Sequence, residues 1–163
     1  MSIRIFVPRD STAVALGAND VAAAIAAEAA KRQIDVQIVR NGTRGLLWLE
    51  PLVEVETAAG RTGFGPVDID DVAALFDTGF HTGATTHALS VGPVDEIPYF
   101  KKQQRLTFAR VGLTDPVSLA DYVAHEGYQG LRAAIAMDGA AIVETVTASG
   151  LRGRGGAGFP TGI

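Results

Sequence analysis

The stretch Leu52-Val-Glu-Val-Glu-Thr-Ala-Ala-Gly-Arg-Thr-Gly-Phe-Gly-Pro-Val67 decides how the amino-terminal half of the chain folds. Leu52 to Glu56 sets Val53 and Val55 against Glu54 and Glu56, the alternation of a strand. Ala59-Gly60 reads as a turn, and Arg61 to Val67 returns as the hairpin partner. Upstream, Ile3, Ile5 and Val7 alternate with Arg4 and Phe6 until Pro8 ends the strand. Asn19 or Asp20 can cap a helix predicted to reach about Arg32, with Val21, Ile25 and Ala29 along one face. Ile34, Val36 and Ile38 make a second strand, parallel to the first through a right-handed crossover. Downstream, Asp68 and Asp71 resemble a capping arrangement before a short helix with Ile69, Val72, Ala73 and Phe76.

The order βαββα predicts an α/β, thioredoxin-like domain over residues 1–80. The loop Thr43-Arg-Gly45-Leu-Leu47-Trp-Leu-Glu-Pro51 resembles the turn of thioredoxin-like 2Fe-2S ferredoxins and of the small cluster-bearing subunit of complex I, which carries Cys-x-Gly-x-Cys ahead of Ala-Pro. Gly45 and Pro51 fit, whereas Thr43 and Leu47 occupy the cysteine places. The resemblance implies a ferredoxin-like domain that has lost its cluster ligands and is retained for packing or docking. The sequence contains no cysteine, which excludes disulfides, thiolate zinc sites and cysteine-bound iron-sulfur clusters in these residues. His81 and His87 in a Gly/Thr-rich loop and His125 on a helix read as polar surface residues, so the metal ligands are none. Trp48, inside an apolar run, reads as core, with an anchor at a subunit interface as the alternative.

With 163 residues, 47% of them hydrophobic, the chain can bury one ordinary core with an appended segment. A net charge of -4 gives no basis for a nucleic-acid or anionic-membrane partner. There is no apolar run of about 18 residues, and the start reads as a strand and not as a signal peptide, so a cytoplasmic location is expected. Residues 81–115 read as a linker, since Thr78 to Pro98 is punctuated by Gly and Pro without a clear period. Lys101, Lys102, Arg105 and Arg110 lie close together there, either as a solvated basic face or as a brace against an acidic partner surface.

The third segment, 116–163, is helical and ends in a glycine-rich loop. Ser118-Leu-Ala-Asp121 is a capping box with Asp in place of Glu, Gly127 breaks the helix it starts, and Leu131, Ala134 and Ile135 mark the next. Ile142, Val143 and Val146 stand at helical spacing before Gly150. Gly153, Gly155, Gly156 and Gly158 then leave four positions without a Cβ, so that backbone amides can approach an anion, with Arg152 and Arg154 as guanidinium forks beside them. Gly153 to Gly158 also satisfies G-x-G-x-x-G, but a dinucleotide fingerprint needs a strand before it and an acidic residue about 20 positions on, and the sequence supplies neither.

Ser149-Gly-Leu-Arg-Gly-Arg-Gly-Gly-Ala-Gly-Phe-Pro-Thr-Gly162 resembles the flavin-site loop of the complex I flavin subunit and of the diaphorase subunits of NAD-reducing hydrogenases and soluble NAD-dependent formate dehydrogenases. Pro116 to Tyr122 followed by Gly127-Tyr-Gln-Gly-Leu131 is similar to the helical lead-in of that family, with Glu126 in place of one Gly of a Gly-Gly-Tyr run; this departure is expected to be minor. A cluster-free thioredoxin-like half ahead of this loop is most similar to the beta subunit of soluble formate dehydrogenases. The resemblance implies an NAD-dependent oxidoreductase subunit with FMN and NAD as cofactors, in which Gly153, Arg154, Gly155, Gly156 and Gly158 hold the FMN and Phe159 stacks on the adenine of the nicotinamide cofactor. The other reading of Phe159 is a core aromatic beside Pro160. No residue reads as a general acid or base. Partners implied are sister subunits with a 2Fe-2S cluster and a molybdenum or tungsten centre, with a 4Fe-4S cluster expected in a carboxy-terminal part beyond Ile163. The alternatives are a hydrogenase diaphorase and a non-catalytic docking module.

Overall fold

The computed structural model describes residues 2–163, and the chain divides into two compact units, Met1–Asp121 and Tyr122–Ile163. In the first, β1 (Ile3–Phe6) leads through α1 (Ser11–Ala15) and α2 (Ala18–Lys31) to β2 (Val36–Val39). The hairpin β3 (Val53–Thr57) and β4 (Gly60–Phe64) follows, then α3 (Val72–Asp77), β5 (Ser90–Pro93) and α4 (Pro98–Lys101). The sheet order is β2-β1-β3-β4-β5, with β1 and β2 parallel and the other pairs antiparallel. Ile5 lies in register between Ile38 and Val55. A parallel βαβ unit extended by a hairpin on the β1 side is the thioredoxin-like α/β arrangement expected from the order of elements.

One face of the sheet is apolar because every second residue of β1 and β3 is. Ile5, Val53, Val55 and Phe64 pack there against Val21, Ile25 and Ala29 of α2 and Val72, Leu75 and Phe76 of α3. Phe80 closes the end of this core, edge-on to both Phe64 and Phe76 at 5.6 and 4.9 Å. His81 stacks beside Phe76 at 5.4 Å and is partly buried, which lowers its pKa and makes it part of this edge rather than ordinary surface. The capping box before α3 forms as expected: the Asp71 carboxylate accepts the Asp68 N–H at 2.8 Å. The start of the first crossover differs from expectation. Asp10 caps an additional short helix, accepting from the Thr12 and Ala13 amides, and Gly17 at φ +96° turns the chain into α2.

The opposite face is polar at its centre. Glu54 of β3, 1% exposed, accepts from Arg44 at 2.5 and 2.8 Å and from Arg61 at 3.3 Å. The Arg61 guanidinium lies 3.4 Å from the Phe6 ring centroid. A segment without helix or strand covers this face: Arg61 donates to the Gly112 and Leu113 carbonyls, Asn41 donates to Gly112, and Arg105 donates to the Arg44 carbonyl. The expectation that residues 81–115 form a linker is therefore corrected twice. Ser90 to Pro93 is a strand paired with β4, and the segment through Leu113 is a lid over the second sheet face. Its anchors are backbone carbonyls held by arginines, which leave no apolar period in the sequence.

The Thr43–Pro51 loop is built around hydrogen bonds. Gly45 sits at φ +84°, so its glycine is required by the backbone. Thr43 Oγ1 accepts the Gly45 N–H at 3.0 Å and donates to Glu50 at 2.6 Å, while Leu47 points outward and is half exposed. Trp48 is 62% exposed, which corrects its assignment to the core. Leu47–Leu49 forms a 3-10 turn in which Leu46 anchors inward and its two successors face out.

Glu50 is buried in this loop, and burial is the largest effect on its carboxyl, raising the pKa against the opposing hydrogen bonds from Thr43 and the Leu52 amide. Its folded-state pKa exceeds the unfolded one, so the folded state binds that proton more tightly. This contribution to stability is present below the unfolded carboxylate pKa and is lost as pH rises through the folded value. Glu50→Gln, which can satisfy both Thr43 and Leu52, is expected to be more stable than wild type at about pH 7, with the difference shrinking toward about pH 4. Urea unfolding of both proteins across this range measures it; a difference independent of pH contradicts the assignment.

Candidate cofactor-binding loop

The second unit contains two complete helices, α5 (Leu119–Ala124) having begun before the division between units. Ser118 Oγ accepts the Asp121 N–H at 3.1 Å, the capping contact expected for α5. Then follow α6 (Gln129–Ile135) and α7 (Gly139–Ala148). The turn into α6 places Glu126 at φ +67° and Tyr128 at φ +63°, left-handed conformations that cost a non-glycine residue of order 1–3 kcal/mol. The Glu126 departure is thus not minor, because the backbone at its position favours glycine. Gly127 is required for a different reason: a Cβ there would meet the carbonyl and ring of Tyr122. Tyr122 and Tyr128 pack edge to face at 4.9 Å around it.

Asp138 caps α7 by accepting the Ala141 amide at 2.8 Å. The helix stops where expected, with Gly150 at φ +67° directly after Ser149. From there the chain folds back on itself. The Gly153 N–H donates to the Phe159 carbonyl at 2.8 Å, and the Thr161 N–H to the Leu151 carbonyl at 2.9 Å. Arg152 Nε donates to the Gly158 carbonyl at 2.7 Å, so this guanidinium is turned onto its own loop instead of standing as a free fork. The Thr147 hydroxyl is shared between the Val143 carbonyl at 2.8 Å and the Gly162 carbonyl at 3.0 Å, which brings the end of the loop against the helix before it.

These bonds close the two sides of a narrow loop and leave its tip bare. Among the described residues, the amides of Arg154, Gly155, Gly156 and Ala157 donate to no backbone carbonyl. Of the glycines expected to bind, Gly158 is at φ +53° and is explained by the backbone. Gly155 and Gly156 are at no such angle, and a Cβ on either would meet nothing within 4 Å. Their missing side chains answer no demand of this chain's own packing. A backbone that is bare, exposed and free of local reasons for glycine suits the approach of an anionic ligand. Arg154 is exposed at the same tip, and Phe159 is 63% exposed. The structure brings Gly153, Arg154, Gly155, Gly156, Gly158 and Phe159 into one loop; the closing role of Arg152 was not legible, because a spacing does not show which way a guanidinium turns. Among the described residues no group of three or more His, Cys, Asp or Glu is placed to hold a metal ion.

No family model matches the chain. Over 63 residues, 39% of its length, it is 54% identical to the NADP-reducing hydrogenase subunit HndC of Solidesulfovibrio fructosivorans. Over 42 residues it is 62% identical to a subunit of the NADH-quinone oxidoreductase of Streptomyces coelicolor, and over 45 residues 51% identical to the corresponding subunit of the Aquifex aeolicus enzyme. The relatives it matches are thus subunits of oxidoreductases named for pyridine nucleotides, and the matched residues span 13%, 9% and 11% of their lengths. Among solved structures, the chain is similar to the thioredoxin-like 2Fe-2S ferredoxin of Aquifex aeolicus, with a TM-score of 0.47 and 19% identity, over 56% of this chain and 97% of the ferredoxin.

Proposed function

We propose that this chain is part of the flavin-bearing, NAD-reducing subunit of a multi-subunit oxidoreductase, and that its glycine loop holds the phosphate of FMN. The observation that carries this reading is the bare tip, where the free amides of Arg154 to Ala157 meet two glycines that the loop itself does not need. Backbone amides without an acceptor of their own can supply hydrogen bonds and partial positive charge to a phosphate, and Arg154 adds a full charge. Gly153 and Gly158 keep the loop narrow, and Arg152 pins it closed before any ligand arrives. A preformed loop spares the ligand part of the ordering cost, which for a residue's backbone is about 1–2 kcal/mol. Phe159, exposed beside the tip, offers a flat apolar face for the adenine of the nicotinamide cofactor. The bound flavin supplies hydride transfer to NAD⁺; the residues described here bind and orient.

For the electron donor we infer formate, oxidised at a molybdenum or tungsten centre of another subunit and relayed through iron-sulfur clusters. This finer assignment rests on a cluster-free thioredoxin-like unit, with Thr43 and Leu47 in the cysteine places, ahead of the flavin loop. The second reading, a hydrogenase diaphorase, is favoured by the 54% identity to a hydrogenase subunit. Reduction of NAD⁺ by the assembled complex with formate, and none with hydrogen, supports the first; the reverse overturns it.

The test of the loop is FMN titration of the full-length subunit and its Gly156→Val variant. Since a side chain at 156 has open space in this structure, the variant is expected to fold as wild type. It should lose about 1–3 kcal/mol of FMN affinity, the usual cost of forcing added methyl groups into a close contact. Unchanged affinity would show that the ligand does not approach this backbone.

A further inference from the structure

We propose that the Leu47–Trp48–Tyr99 surface of the first unit is a docking site for another subunit of the same oxidoreductase, one that presents an apolar patch edged by carboxylates. The proposal rests on the function assigned above, because it takes the partner from that complex. Leu47, Trp48 and Tyr99 are each about half exposed or more, and the Trp48 and Tyr99 rings meet edge to face at 5.7 Å. The pair is held from below. Leu46 is fully buried under the 3-10 turn, and Phe100, in edge contact with Tyr99 at 5.5 Å, has the Arg44 and Arg105 guanidiniums 5.9 and 4.8 Å from its ring centroid. Two aromatic side chains displayed on an anchored turn lose little conformational freedom on binding, and Trp, Tyr and Arg are the residues in which binding hot spots are richest.

The charges beside the patch choose the partner. Lys101 is paired with Glu96. Arg105 donates only to neutral acceptors, Gln103 and the Val111 and Arg44 carbonyls. Among the described residues neither Lys102 nor Arg105 comes within 4 Å of a carboxylate, although the chain as a whole carries 18 acidic residues against 14 Lys and Arg. A two-fold contact between identical patches would set Lys102 and Arg105 of one copy near those of the other, which like-charge repulsion opposes. A different chain with acidic residues around an apolar centre satisfies both features. Trp48 then serves as the interface anchor, the second of the two roles its sequence context allowed.

The test uses the full-length subunit and the remaining subunits encoded with it, purified separately and recombined. Binding is followed by biolayer interferometry at two salt concentrations, with Trp48→Ala/Tyr99→Ala and Lys102→Glu as variants, Arg105 being left in place because it anchors the lid. The aromatic variant is expected to weaken assembly about 30-fold or more, as loss of a hot spot does. The charge-reversal variant should slow association and reduce its salt dependence. All substituted side chains lie outside the core, so melting temperatures and FMN content should match wild type. Wild-type affinity in the aromatic variant overturns the site, and unchanged association in the charge variant overturns the acidic partner. A homodimer abolished by Trp48→Ala, seen by analytical ultracentrifugation, overturns the choice of a different chain. FMN retention and NADH oxidation by the wild-type subunit are measured alongside: their absence refutes the flavin assignment, whereas their presence with unaffected assembly refutes the docking site alone.

Discussion

Glu54→Ala is expected to destabilise the first unit by about 3–5 kcal/mol, the cost of breaking a buried charge pair by removing one partner. The carboxylate stands between Arg44 and Arg61, and both guanidiniums are held in place by other contacts: Arg61 over Phe6 and on the Gly112 and Leu113 carbonyls, Arg44 in a site only 6% exposed. Burial lowers the pKa of Arg61, and Glu54 is the largest influence opposing this. Without Glu54, two cations share a poorly solvated space with no anion between them. Folding then costs the desolvation of both or the detachment of the Arg105–Leu113 lid. Glu54→Gln keeps the shape and one acceptor, and should lose less. Urea denaturation with slopes compared between proteins reads both effects. A loss below about 1 kcal/mol for Glu54→Ala would mean that the pair is solvated and that the polar sheet face is not closed by this segment.

Ile25→Asp is expected to cost about 3 kcal/mol or more, since it sets an unpaired charge on the buried face of α2. Ile25 is fully buried between Val21 and Ala29 in the cluster with Ile5, Val55 and Leu75. Arg32 at the end of the helix is already engaged by Glu28 and Asp77. Ile25→Val, which removes one methylene, should cost about 0.5–1.5 kcal/mol and serves as the packing control. Thermal melts of the pair decide the matter, and an Asp variant that melts with wild type would place this face outside the core.

The apolar periods of Ile3–Val7, Val21–Ala29 and Val53–Glu56 were enough to locate the sheet's core face, because burial there is apolar and repeats with the strand or helix. The other sheet face was not legible. Its closure uses Glu54, Arg44, Arg61 and backbone carbonyls of a segment without regular structure, and such bonds carry no sequence period. β5 was missed because Ser90-Val-Gly-Pro93 is short and holds the two residues that usually interrupt strands. Trp48 was misplaced because an apolar run does not reveal that a 3-10 turn will direct its middle outward. In the second unit, the helix stop at Gly150 was readable from residue type. What the loop does with Arg152 was not, because a guanidinium beside several glycines suits a ligand phosphate as well as a backbone carbonyl.

Amide hydrogen exchange across Leu151–Ile163 of the full-length subunit, with and without FMN, tests the central claim most directly. The account predicts that the amides of Arg154, Gly155, Gly156 and Ala157 exchange freely without ligand and become protected with it. The Gly153 and Thr161 amides, already bonded to the Phe159 and Leu151 carbonyls, should be slower from the start. Protection of the whole subunit by FMN that leaves the four tip amides exchanging as fast as before would contradict it.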